Sequence, residues 1–191
     1  MAFPLTTGSI TREEGYGVST FNDGSSIVTG KFGRPLTFGS TTLTASGVGL
    51  PHHRLLDSFA AKIDSNGNYL WAKRFGGAEN DISVSVSTLS DGNCIITGYF
   101  KGAANFGDTT LNSSGGEDIF ITKVDSNGNF LWATQAGGAN DYDRGHSVNA
   151  LSDGSSIITG QINGTASFGA TTLNSGSGYI AKLDHNGNFL W

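Results

Sequence analysis

Three ordered blocks recur three times along this chain, and a long repeat of that kind leaves few folds open. FNDGSSIVTGKF (21–32), LSDGNCIITGYF (89–100) and LSDGSSIITGQI (151–162) come first in each copy. LTFGSTTL (36–43), ANFGDTTL (104–111) and ASFGATTL (166–173) follow. DSFAAKIDSNGNYLW (57–71), DIFITKVDSNGNFLW (118–132) and GYIAKLDHNGNFLW (178–191) close each copy. Trp71, Trp132 and Trp191 stand 61 and 59 residues apart. The chain is read as one repeat domain, 1–191, with copies at approximately 2–71, 72–132 and 133–191.

Each copy reads as four strands. GVSTF, VSVSTL and HSVNAL supply the first, and SIVTGKF and its mates the second. FAAKID, FITKVD and YIAKLD are expected to alternate apolar and polar as the third, and YLWAKRF and FLWATQA form the fourth. Asp-Gly in NDGS, SDGN and SDGS, and Asn-Gly in SNGN and HNGN, are hairpin signals, because Gly supplies the positive φ of a tight turn. DSNGN also resembles the opening of a calcium loop, but the bidentate Glu that such a loop needs is missing, so a structural turn is the expected reading.

Composition agrees with short strands and tight turns. The 191 residues include 29 Gly and 12 Phe but only 3 Pro, and 14% are charged. The net charge is −5 and the 11 Lys and Arg are scattered, so no nucleic acid is expected as a partner. No run approaches the ~18 apolar residues of a membrane helix, so no membrane insertion is expected. The start, MAFPLTTGSI, has neither a basic nor an apolar signal-peptide region. Cys94, the single cysteine, lies in NCIITGY, where Ile and Val occupy the equivalent positions nearby, and is expected to be a buried, inert thiol.

Four-stranded units at a period near 60 suggest radial repetition, with one unit per blade of a β-propeller. The spacing from Trp71 to Gly77 and from Trp132 to Gly138, followed by DGNCIITGYF and NFGDTTLNSSGGEDIFITKVDSNGNFLW, resembles the SBBP-type bacterial β-propeller repeat. The resemblance is clearest over 71–191; the first copy departs from it through the insertion ASGVGLPHHRLLD. It implies propeller blades, often in extracellular or cell-surface proteins of bacteria, and no shared activity or catalytic residues. The expected fold is therefore all-β, a β-propeller of three four-stranded blades per chain; a non-ring solenoid or sandwich is the alternative.

The register of the copies bears on assembly. Setting Phe21 opposite Leu151 places Ala2 opposite Trp132, so AFPL falls where the second copy has WATQ. The N-terminal segment is expected to continue the fourth strand that begins at Trp191. Propellers have four to eight blades, so three are expected to be completed by a homodimer to a six-bladed ring.

Chemistry is sparse. No G-x-S-x-G, H-E-x-x-H or P-loop occurs, and neither an enzyme activity nor a cofactor or metal is expected. Gly76-Gly77 and Gly137-Gly138 are read as turn glycines. His146 and His185 are read as exposed strand and turn residues. The variable loops carry His52, His53, Asp81, Asp141, Asp143 and Arg144, and their face is the expected ligand face, since function concentrates on loops held by a rigid scaffold. The simpler reading of these acids is a solvated surface. The expected function is a non-enzymatic scaffold that self-associates through blade edges. The alternative is a lectin-like module with a glycan or surface protein as partner.

Overall fold

A computed structural model describes residues 13–46, 55–139, 142–174 and 176–191, and these form strands and turns without a helix. The first copy folds into β1 (Glu14–Thr20), β2 (Ser26–Phe32), β3 (Leu36–Phe38), β4 (Thr41–Leu43), β5 (Asp57–Ile63) and β6 (Tyr69–Gly77). The second gives β7 (Asp81–Thr88), β8 (Cys94–Phe106), β9 (Thr109–Val124) and β10 (Phe130–Ala136). The third gives β11 (Arg144–Ala150), β12 (Ser156–Gln161), β13 (Thr165–Phe168), β14 (Thr171–Asn174) and β15 (Gly178–Leu183).

Each unit is an antiparallel meander. The orders are β1-β2-β5-β6, then β7-β8-β9-β10, then β11-β12-β15. In the third unit Leu190 N donates to Lys182 O and Lys182 N to Trp191 O, so the last residues lie along β15 as the start of a fourth strand. The connection between second and third strands carries a small distal hairpin, β3–β4 and β13–β14 in the outer units. In the middle unit it is continuous with β8 and β9, beyond a bulge between Lys101 and Ala103.

The dipeptide Thr-Gly in every second strand has a physical reason. Thr29, Thr97 and Thr159 donate their hydroxyls to the carbonyls of Phe59, Phe120 and Tyr179 on the third strand. The adjoining Gly30, Gly98 and Gly160 sit beside the first-strand bulge, where a Cβ would lie about 2 Å from the carbonyl oxygens of Glu14, Ile82 and Arg144. Only glycine lets the first strand approach there.

The third strands depart from the expected alternation. Residues 57–62 of β5 and 118–124 of β9 are buried throughout. Phe120 and Ile121 point to opposite faces, and neither is accessible to solvent. The middle unit is covered on both faces by its neighbours, whereas in β5 Ala60 meets the second unit and Phe59 and Ala61 pack under Phe32, Leu36, Phe38 and Leu43 of the first unit itself; a strand covered on both faces has no reason to alternate.

Two apolar cores lie between units. In one, Phe21, Ile27, Ala60 and Phe75 of the first unit meet Val86, Ile96, Phe100, Phe106 and Phe120 of the second. In the other, Leu89, Ile95, Ile121 and Ala136 of the second unit meet Val148, Ile158, Ile162, Phe168 and Tyr179 of the third. The repeat places these residues at matching positions on both sides. Phe106 gathers Phe75, Phe100, Phe120 and Phe130 around it, with ring centroids 5.0–6.3 Å apart. Burying each such ring contributes about 1.5–3 kcal/mol. Cys94 lies in the first of these cores, where burial pushes its thiol up to about 12, as an inert thiol requires.

Candidate functional site

The recurring D-x-N-G-N segment is a hairpin turn whose acid is fully engaged. Asp64 N donates to Asn68 O and Gly67 N donates back to Asp64 O. Asp64 Oδ1 accepts from the amides of Asn66 and Asn68, while Asn68 Nδ2 donates to Oδ2. The Asn68 side chain, with the backbone amides, holds the Asp64 carboxyl below its usual range. Asp125 and Asp184 repeat the same bonds.

The tryptophan after each turn reaches into the next unit. Trp71 Nε1 donates to Ser126 O at 2.9 Å, and Trp132 Nε1 donates to His185 O at 3.1 Å. Each indole lies on the turn glycine: a Cβ on Gly128 or Gly187 would sit 2.9 or 2.8 Å from the ring. These glycines thus answer both to a positive φ, 82° and 86°, and to the aromatic surface above them.

The same junctions hold pairs of buried carboxylates. Asp57 opens β5 and Asp81 opens β7, exposed 0% and 1%. Asp57 Oδ2 accepts from Ser46 N at 2.8 Å and from Arg74 Nη1 at 2.6 Å. Asp81 Oδ2 accepts from Gly77 N, and Asp81 N donates to Leu56 O. The next junction repeats the pair as Asp118 and Asp143, both 0% exposed. Asp118 Oδ2 accepts from Ser114 N, with Gln135 Nε2 at 3.5 Å standing where Arg74 stands before. Asp143 accepts from the amides of Gly138 and Asn163. Burial pushes Asp81 up to about 7 and Asp118 up to about 6, and the neighbouring Asp57 and Asp143 charges add to the push. Burial also raises Asp57 and Asp143, against the amides they accept from.

The Gly-Gly pairs are explained here, and not as turns. Gly76 and Gly77 end β6 and pair with Asn105 and Ala104 of the next unit. A Cβ on Gly76 would sit 2.6 Å from Asp81 Oδ2, and one on Gly77 would sit 1.8 Å from Ala103 O. Gly137 bridges Ser167 in the same manner, and a Cβ on Gly138 would sit 1.9 Å from Thr165 O.

The residues of the expected ligand face fall in different surroundings. His52, His53 and Asp141 lie outside the described residues. Asp81 and Asp143 are not solvated loop acids: they are 1% and 0% exposed. Amides of Gly77 and Gly138 from the preceding unit, and of Asn163 from the third unit itself, hold them buried in the junctions, which corrects the surface reading. Arg144 opens β11, pairs with Glu117, and lies over the rings of Tyr99 and Tyr142 at 4.5 and 5.1 Å. Tyr142 is 52% exposed and holds φ at 77°, an uncommon backbone state for a side chain of that bulk. Tyr142, Arg144, Gln161 and Asn163 line one groove. Tyr142 was absent from the expected set; its signal in the sequence is an aromatic flanked by acids in NDYDRG (140–145). Among the described residues no three His, Cys, Asp or Glu side chains converge as a metal site.

No protein-family model matches the chain. It is similar to an uncharacterized WD repeat-containing protein, L264, of Acanthamoeba polyphaga mimivirus, with 33% identity over 87 residues. That match covers 42% of this chain and 6% of the relative, so the chain spans a small part of that protein's length.

Proposed function

We propose that this chain is a non-enzymatic structural module: three blades of an SBBP-like β-propeller that self-associate through their end faces. One observation carries the reading. Matching positions build both inter-unit cores, Phe21, Ile27, Ala60 and Phe75 in one and Leu89, Ile95, Ile121 and Ala136 in the other. A surface used twice in the same way within one chain is made for stacking like units. The likeness to part of a WD repeat-containing protein supports blades in particular. Two chains give six blades, within the usual four to eight, whereas three chains give nine.

Light scattering on a sizing column tests it. A mass about twice 19.8 kDa supports the two-chain ring. A mass of one chain at micromolar concentration rejects self-association.

A second reading rests on Tyr142. An exposed aromatic with strained backbone beside a stacked Arg144 suits the face of a sugar or another planar ligand. A glycan-array screen in which binding disappears with Tyr142→Ala supports a lectin-like module; an array without signal leaves the scaffold.

A further inference from the structure

Resting on the self-association just proposed, we infer the partner surface and its register: the third unit's outer face docks head-to-tail on the first unit's outer face of a second copy of this chain. The inner junctions show what each face is built to meet. Ala60 and Ile121 of the third strand are 1% and 0% exposed because the next unit covers them, while their counterpart Ile180 is 61% exposed. Ile27 and Ile95 are fully buried, and their counterpart Ile157 is half-buried. On the opposite face, Val86 and Val148 are each 6% exposed, while their counterpart Val18 is 69% exposed. Ile96 and Ile158 are fully buried, whereas Val28 is half-buried.

Each end therefore presents the strand residues of an interface that the molecule already forms twice; in the first unit Phe32, Phe38 and Phe59, the counterparts of Phe100, Phe106 and Phe120, are already buried within the unit itself. The third unit offers Ile157 and Ile180, and the first unit offers Val18 and Val28. Continuing the pattern seats Val18 of the second copy in the Ile157–Ile180 face, as Val148 sits in the Ile95–Ile121 face.

The polar contacts extend in the same register. The two inner indoles donate to turn carbonyls of the following unit, at Ser126 and His185. Trp191, 54% exposed, occupies the third indole position, and its counterpart acceptor is the carbonyl of Ser65 in the second copy. Along the first strands, Ser19 Oγ accepts from Thr88 N and Ser87 Oγ from Ala150 N. Asn149 is next in that series and faces Thr20 of the second copy. The seam is thus heterologous: the two contacting patches differ, and closure demands that both ends of each chain be used.

Charge complementation tests the register. Val18→Asp and Ile180→Lys change exposed strand residues, so each variant keeps the wild-type circular dichroism spectrum. Each alone is expected to dimerise at least tenfold more weakly. An equimolar mixture restores the two-chain mass, because the carboxylate introduced in one chain meets the ammonium introduced in the other at one seam, and the native faces meet at the second. A wild-type chain that sediments at 19.8 kDa defeats the self-association reading itself. A wild-type dimer that tolerates both substitutions leaves that reading standing and overturns this register. Loss with Val18→Asp but none with Ile180→Lys points to a symmetric patch and overturns it as well.

Discussion

The indole of Trp71 donates to the carbonyl of Ser126 across 2.9 Å, and so ties the fourth strand of one unit to the turn of the next. Trp132 and His185 repeat the tie one unit further on. Units joined in this way share stability, and a change at the tie is felt on both sides of the junction.

Trp71→Phe keeps most of the ring and removes the donor. The Ser126 carbonyl then turns to water, and stability falls by about 1 kcal/mol. Urea unfolding measures the loss, which is matched by Trp132→Phe if the two junctions are equivalent.

Gly77→Ala is expected to be far more damaging than a methyl group suggests. Its Cβ would stand 1.8 Å from Ala103 O, in backbone that cannot yield without opening the β6–β8 pairing. A loss of about 3 kcal/mol is expected. Gly138→Ala, against Thr165 O, behaves alike. Thermal unfolding and amide exchange at Ala104 and Asn105 report it.

Arg74 and Gln135 differ in charge at matching positions, and so do their junctions. Asp57 has a guanidinium at 2.6 Å, whereas Asp118 has only a carboxamide at 3.5 Å. Gln135→Arg brings a cation to the Asp118–Asp143 pair and raises stability at pH 8 by about 1–2 kcal/mol; Arg74→Gln lowers it by a similar amount. Denaturant titrations of the two variants check both signs.

Stability is expected to fall as pH rises from 5 to 8. Asp81 and Asp118 move from the ordinary 3.8 up to about 7 and about 6 in the folded chain. The native state therefore holds protons that the unfolded chain releases. Its advantage is complete below about pH 4 and is lost as pH climbs through 6 and 7. Asp23, Asp64, Asp153 and Asp184 shift downward and act with the opposite sign, losing stability only as pH falls below about 4. The stability maximum lies near pH 4–5. Asp81→Asn flattens the slope between pH 5 and 8 in urea unfolding, since a neutral carboxamide keeps an acceptor for Gly77 N.

Local features were the most legible. Asp-Gly and Asn-Gly between apolar runs become hairpins with positive-φ glycines at Gly24, Gly67, Gly92, Gly128, Gly154 and Gly187. Backbone sterics decide such turns within four or five residues. The Thr-Gly dipeptide was equally visible as an invariant of the three copies. Its reason was not, because the close carbonyls of Glu14, Ile82 and Arg144 come from another strand.

The candidate site was less legible. Asp81 and Asp143 read as loop acids, and it takes the packed junction to bring the amides of Gly77, Gly138 and Asn163 onto them. Gly-Gly read as a turn, because the opposing Ala103 and Thr165 carbonyls belong to a different unit. Alternation was expected in β5 and β9, yet both are covered on both faces, β9 by the two neighbouring units and β5 by the second unit and by Phe32, Leu36 and Phe38 of its own, contacts that no local pattern reveals.

By itself the sequence determined the repeat, the strands and the turns, since these follow from residue spacing and the φ preferences of a few glycines. Only the tertiary structure decided which surfaces are hidden. Desolvation is a property of what stands opposite a residue. Ala60, Ile121 and Ile180 hold one position in the repeat, but the first two are buried and the third faces solvent.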